Sequence, residues 1–166
     1  MAKLYKLAEA AVKTIGNVKL LDMPEKVAFL SSRKIAPTAI MRCYEWASKV
    51  RDEARCIVGG FHSPLEKDVL KFLLRGTAPV VIVLARTLWK RVPEELRVPV
   101  DEGRLLIVSP VSTARADVAS AEARNRWILS NCTSFVLGSL DPVGRLSRLV
   151  ASFPPGQITR LDLDKG

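Results

Sequence analysis

Five stretches of the chain are apolar on consecutive positions rather than alternate ones: Val27–Ser31, Arg55–Val58, Pro79–Ala85, Arg104–Val108 and Thr133–Gly138. Each is short and rich in Val, Ile, Leu or Phe, the pattern of parallel strands covered on both faces. Between them, apolar residues return at helical spacing. Thr38–Ala54 aligns Ile40, Cys43, Tyr44, Ala47 and Val50 on one stripe, and Pro64–Leu74 aligns Leu65, Val69, Phe72 and Leu73. Ala114–Asn131 and Val143–Phe153 complete the helical set. Strand then helix, repeated, folds through right-handed crossovers. The pattern predicts an α/β chain: a doubly wound, mainly parallel Rossmann-like sheet of five or more strands with helices on both faces.

The segments outside this alternation are shorter. Trp89–Val100 holds two prolines and one brief amphipathic piece around Pro93–Leu96, so one crossover is expected to be abbreviated. Met1–Lys13 reads as an additional outer helix and Gly16–Asp22 as a short extended lead-in. The tail, with Ile158, Leu161 and Leu163 alternating with polar residues, is expected to add an edge strand. No repeat and no long linker interrupts the chain. The expectation is one domain over 1–166, with 1–26 as helix and lead-in and 154–166 as tail.

Composition narrows the class. Of 166 residues, 48% are hydrophobic and 26% charged, the balance of a globular protein. The longest apolar run, Ala78 to Ala85, is far too short to cross a bilayer. The basic N-terminus lacks the apolar block and cleavage site of a signal peptide, which points to the cytoplasm and away from membranes. Cys43, Cys56 and Cys132 form no CxxC pair, and His62 is the single histidine. That usage predicts buried thiols, no metal and no cofactor. Lys and Arg number 26 against 17 acids, a net charge of +9 and a pI near 9.8. Such a field favours polyanions, although it also serves solubility. Where the basic residues sit must decide.

In an open parallel sheet, ligands bind beyond the carboxyl ends of the strands, where strand order reverses. The first strand is followed by Ser31-Ser32-Arg33-Lys34, with a helix opening near Pro37-Thr38. The second is followed by Gly59-Gly60-Phe61-His62-Ser63, the third by Arg86-Thr87, the fourth by Ser109-Pro110 and the fifth by Gly138-Ser139. Small, hydroxylic or basic residues thus end every strand on one edge. Helix N-termini there suit anions, and glycines let backbone amides approach a phosphate closely. Taken singly, each piece is also ordinary turn or capping chemistry.

Arg124-Asn125-Arg126 is a second cluster, within the long helix before the fifth strand. Residues two apart do not share a helix face, so either one arginine faces the site while the other braces it, or the helix begins there with an open first turn. A solvated basic face is the plain alternative. Ser63-x-x-Glu66 is a capping box, which suffices to explain Glu66 and leaves a catalytic carboxylate as the minority reading. Asp68 has less to recommend it. His62 could serve as a base or phosphate donor, yet beside a glycine turn it needs no function. Neither a Ser-His-Asp constellation, a Walker lysine loop nor a GxGxxG after the first strand is present.

These residues resemble a family. Gly16-Asn17, Leu20-Leu21 and Val27-Ala28-Phe29-Leu30-Ser31-Ser32-Arg33 look like the lead-in and first strand of the Rossmann domain of the DNA-processing protein A (DprA/Smf) family. Val58–Asp68 occupies the place of its "GLARGID" loop and is more similar still to a short, stand-alone subgroup carrying "GFHSPLEK". Arg124-Asn125-Arg126 matches the family's RNR motif, and Gly103–Leu106 with Ser109-Pro110 fall where its fourth strand lies. The resemblance spans Gly16 to Gly144. It implies a Rossmann domain that binds single-stranded DNA in a basic pocket, self-associates as a dimer and assists a recombinase. It places Ser32, Arg33, Lys34, Gly60, His62, Ser63, Arg124, Asn125 and Arg126 at that pocket, with Ser31, Gly59 and Arg86 on the same edge.

The chain departs from the family pattern in several places. Ser31 stands for the family glycine, and the Arg and Asp of "ARGID" are missing. The loop after the fifth strand is cut to Ser139–Gly144, and no counterpart of the family's N-terminal helical domain or C-terminal winged helix is seen. The superfamily also holds LOG-type nucleoside-monophosphate phosphoribohydrolases, whose "PGGxGTxxE" loop has no counterpart here. An N-glycosidase acting through Glu66 and Arg33 is therefore the alternative, with a sensor of free nucleotide as a third class. The expected reading is non-enzymatic binding of single-stranded DNA or nucleotide phosphate.

Overall fold

The computed structural model describes residues 12–163. Seven strands form one sheet in the order β1-β5-β4-β3-β2-β6-β7. The five central strands are β2 (Lys26–Leu30), β3 (Cys56–Gly59), β4 (Val80–Val83), β5 (Leu105–Ser109) and β6 (Ser134–Leu137). They run parallel, and order reverses between β2 and β6, which are direct neighbours. The consecutive apolar positions have the cause expected of them, since alternate residues feed two different cores. Ala28, Val58, Val81, Leu106 and Phe135 point to one face; Val27, Phe29, Ile57, Ile82 and Ile107 point to the other.

Helices α1 (Pro37–Val50), α2 (Pro64–Leu74) and α3 (Glu94–Asp101) cover the second face; α4 (Val118–Asn131) and α5 (Arg145–Val150) cover the first. α2 has the bounds its periodicity predicts. α4 starts four residues later than expected because Asp117 caps it. The Asp117 carboxylate accepts from the Ser120 amide at 2.7 Å, and the Ser120 hydroxyl accepts from the Asp117 amide at 2.8 Å. The abbreviated crossover after β4 is α3, with Pro99 inside it.

Both sheet margins add detail. The extended lead-in expected at Gly16–Asp22 is instead a 3-10 turn over Val18–Asp22, preceded by a strand, β1 (Lys13–Gly16). β1 pairs antiparallel with β5, which brings Gly16 so close that a Cβ would stand 2.4 Å from the Leu105 carbonyl oxygen. Its φ of 112° also belongs to glycine. Asn17 caps the turn through Lys19 and donates from its side chain to the Gly103 carbonyl at 2.7 Å. The helix expected over Met1–Lys13 lies outside the described residues except at its end, where Lys13 already belongs to β1. The expected edge strand in the tail is present as β7 (Ile158–Arg160), parallel to β6.

Candidate phosphate-binding site

The crevice beyond β2 and β6 is laced by serines. The Ser32 amide donates to the Ser139 carbonyl at 2.8 Å, and the Ser139 amide donates to Ser31 Oγ at 3.2 Å. The Ala36 amide donates to Ser139 Oγ at 3.2 Å, and the Asp141 amide to Ser32 Oγ at 3.0 Å. Gly138 allows this approach: a Cβ there would sit 2.9 Å from Cys43 Sγ and 3.1 Å from the Phe29 ring. Ser31 and Ser32, expected to hold phosphate, therefore hold two loops together. The lacing aims the next residues outward. Arg33 and Lys34 are exposed and make no hydrogen bond or ion pair among the described residues. α1 then opens with Pro37 and no side-chain cap, leaving its first turn without the partner that α2 and α4 have.

The loop after β3 turns on Phe61, the only non-glycine among the described residues with positive φ, 47°. Its buried ring lies 3.1 Å from the position a Cβ on Gly59 would take, so Gly59 yields space to the ring. Ser63 and Glu66 then cap α2. Ser63 Oγ accepts from the Glu66 amide at 3.3 Å, and Glu66 Oε1 accepts from the Ser63 amide at 3.1 Å. Ser63 and Glu66 are both buried. The reciprocal cap occupies the α2 N-terminus and engages both the Ser63 hydroxyl, as an acceptor, and the Ser63 amide. Asp68 accepts from the Tyr44 hydroxyl at 2.7 Å and ties α2 to α1.

Gly60 is where α4 enters the site. Half-buried Arg124 lies against it, so that a Cβ at 60 would stand 2.9 Å from Arg124 Nε and 3.0 Å from its Cζ. Nε donates to Asn125 Oδ1 at 3.2 Å, and no carboxylate of the described residues comes within 4 Å of the guanidinium. Loss of water lowers the Arg124 pKa; Glu66 raises it and Arg33 lowers it. His62, exposed at the loop tip, is held below its usual 6.5 first by partial loss of water and then by Arg124, with Lys67 and Arg33 adding to the effect against Glu66. Arg33, His62, Glu66 and Arg124 thus act on one another across one small region. Its net charge is positive and its imidazole neutral at pH 7.

The remaining expected residues divide. Asn125 braces Arg124. Arg86 turns back, Nε donating to the Thr87 carbonyl at 3.1 Å, and the Thr87 amide donates to the Thr113 carbonyl at 2.8 Å. Arg126 does not join the site: it is exposed, pairs with Glu122 at 3.0 Å and faces α5. The lacing roles of two residues escaped sequence reasoning, although Ser139 was expected on the edge. Ser139 and Asp141 lace the crevice, and only their place after a strand hinted at it. The Phe61 turn had no signal, because a positive φ is not expected of an aromatic residue. Among the described residues no three His, Cys, Asp or Glu side chains gather as a metal site, and no helix is long and apolar enough to cross a membrane.

No family profile and no curated protein sequence matches the chain. Solved structures do. DNA processing protein A from Helicobacter pylori, which binds single-stranded DNA, superposes with a TM-score of 0.59 and 21% identity over 76% of this chain and 59% of that one. The Streptococcus pneumoniae protein of the same name gives 0.60 and 20% over 76% of this chain and 45% of that one. The molybdenum cofactor binding protein of Rippkaea orientalis gives 0.57 and 12% over 83% and 76%. This chain therefore has the Rossmann-type fold of DNA processing protein A, and it spans about half the length of those two relatives.

Proposed function

We propose that the chain binds the phosphate groups of single-stranded nucleic acid, DNA foremost, at the carboxyl edge of the sheet, through Arg33, Lys34, His62 and Arg124. The observation that carries this reading is Arg124. A half-buried guanidinium with no carboxylate within 4 Å, set beside exposed and unpaired Arg33, is a costly arrangement for a fold to keep. An anion is the partner it lacks. Phosphate fits because guanidinium groups bind it in paired hydrogen bonds. The likeness to the single-stranded-DNA-binding protein of Helicobacter pylori supports the choice of ligand.

The test is a fluorescence anisotropy titration with a labelled oligonucleotide. Affinity should fall linearly with the logarithm of salt concentration. Arg33→Ala and Arg124→Ala should each weaken binding alike for all sequences. Absence of affinity even at low salt ends the reading.

A second reading rests on Glu66, whose carboxylate acts on both His62 and Arg124. One of its oxygens is engaged in the cap, which leaves Oε2 for chemistry on a nucleotide. Incubation with nucleoside monophosphates, followed by chromatography for free base, decides it. Release abolished in Glu66→Gln would replace binding with N-glycoside hydrolysis.

A further inference from the structure

α4 carries Arg124 toward the strand-edge site and Arg126 away from it, into a groove between α4 and α5. The groove has a volume of about 380 Å³ and is lined by Glu122, Arg126, Arg145, Arg148, Leu149 and Ser152. That volume is within the range of small-molecule sites. Arg145 and Arg148 are exposed, and neither forms an ion pair among the described residues.

Helix stability does not explain Arg145, although Arg148 lies in the last turn, where the dipole favours a cation. Arg145 is the first residue of α5, where the helix dipole disfavours a cation. Arg145 and Arg148 are three apart, so like charges sit on one helical face and repel. Glu122 is the single acid in the groove and is already paired to Arg126. Three guanidinium groups against one carboxylate leave an excess of two positive charges around an open concavity.

We infer that this groove is a second contact for nucleic-acid phosphates, taking the same strand after it leaves the strand-edge site. The inference rests on the reading proposed above and extends it. Arg124 and Arg126 lie on opposite flanks of α4. A helix is about 10 Å across, so a strand crossing from one flank to the other needs on the order of three phosphates at stacked spacing. Binding is therefore length-dependent. A dinucleotide reaches only the first site, and a long strand reaches both.

The experiment compares a labelled thymidine dinucleotide with a long oligothymidylate on the wild type, Arg124→Ala, the double variant Arg145→Ala/Arg148→Ala, and Glu122→Gln. The double variant should bind the long strand several-fold more weakly, with a salt slope shallower by about 1.4, and should bind the dinucleotide as the wild type does. Glu122→Gln should strengthen long-strand binding by freeing Arg126. That gain of function holds the inference to account even if the double variant folds poorly. An unchanged slope for the long strand, with Arg124→Ala still impaired, overturns the groove and leaves the strand-edge site standing. A double variant that loses affinity for polyglutamate but not for DNA makes the groove a seat for an acidic protein and overturns it equally. A wild type that binds neither oligonucleotide overturns both readings.

Discussion

The Arg124 guanidinium rests against the bare Cα of Gly60: any side chain there would begin 2.9 Å from Nε. This contact joins the loop after β3 to a helix more than fifty residues later. It also means that Gly60 is required by its neighbour, since its φ is not in the left-handed region.

Gly60→Ala should therefore disturb the site more than the fold. The obstructed atoms belong to a flexible arginine side chain, which can swing outward. Melting temperature should stay close to that of the wild type while oligonucleotide affinity falls about as far as in Arg124→Ala. The double substitution should add little, because both changes act on one group. Calorimetry alongside anisotropy checks this.

His62 gives the proposed site a pH dependence. Its pKa is depressed in the folded protein, so the unfolded chain binds the proton more readily. Stability should decline as pH falls through 6.5 toward the folded value. A bound phosphate reverses the local field and raises that pKa, so binding should take up a proton and tighten on acidification below pH 6.5. As the only histidine, it gives a single resolvable imidazole titration by NMR with and without oligonucleotide. An unmoved midpoint would remove His62 from the phosphate site.

Asp162 holds the tail to the crevice. Its carboxylate accepts from the Leu140 amide at 3.0 Å and from Arg160 at 3.1 and 2.9 Å. Although burial alone would raise its pKa, these hydrogen bonds hold it below the usual value. Asp162→Asn should cost about 1–3 kcal/mol in chemical denaturation. The loss should shrink as pH falls through the depressed pKa, because the wild-type carboxylate is then protonated too.

Glu66→Ala should destabilise the chain by about 1 kcal/mol through loss of the α2 cap, with Glu66→Gln nearly neutral. Denaturant midpoints for the two variants test this. Equal losses would mean that the carboxylate charge, rather than its geometry, matters at α2.

Local patterns carried much of this molecule. The five central strands were legible because burial on both faces writes itself as unbroken Val, Ile and Leu runs. The α2 cap was legible because Ser63-x-x-Glu66 is a local rule. The start of α4 was missed although Asp117 and Ser120 form the same kind of cap, since serine rather than glutamate closes it. β1 was missed because four residues on an antiparallel edge carry too little periodicity.

The site divides along the same line. Sequence alone determined that small and basic residues would end the strands on one edge, because crossover geometry fixes which end each loop occupies. The tertiary structure decided which of them are free. Ser31 and Ser32 are spent on Ser139 and Asp141, over a hundred residues away. Arg124 and Arg126 part because α4 rotates about 100° per residue, so only its docking on the sheet determines which one meets Gly60. Hydrogen bonds and contacts between distant segments have no signature in either segment, and they turned an edge of scattered residues into the candidate site around Arg124.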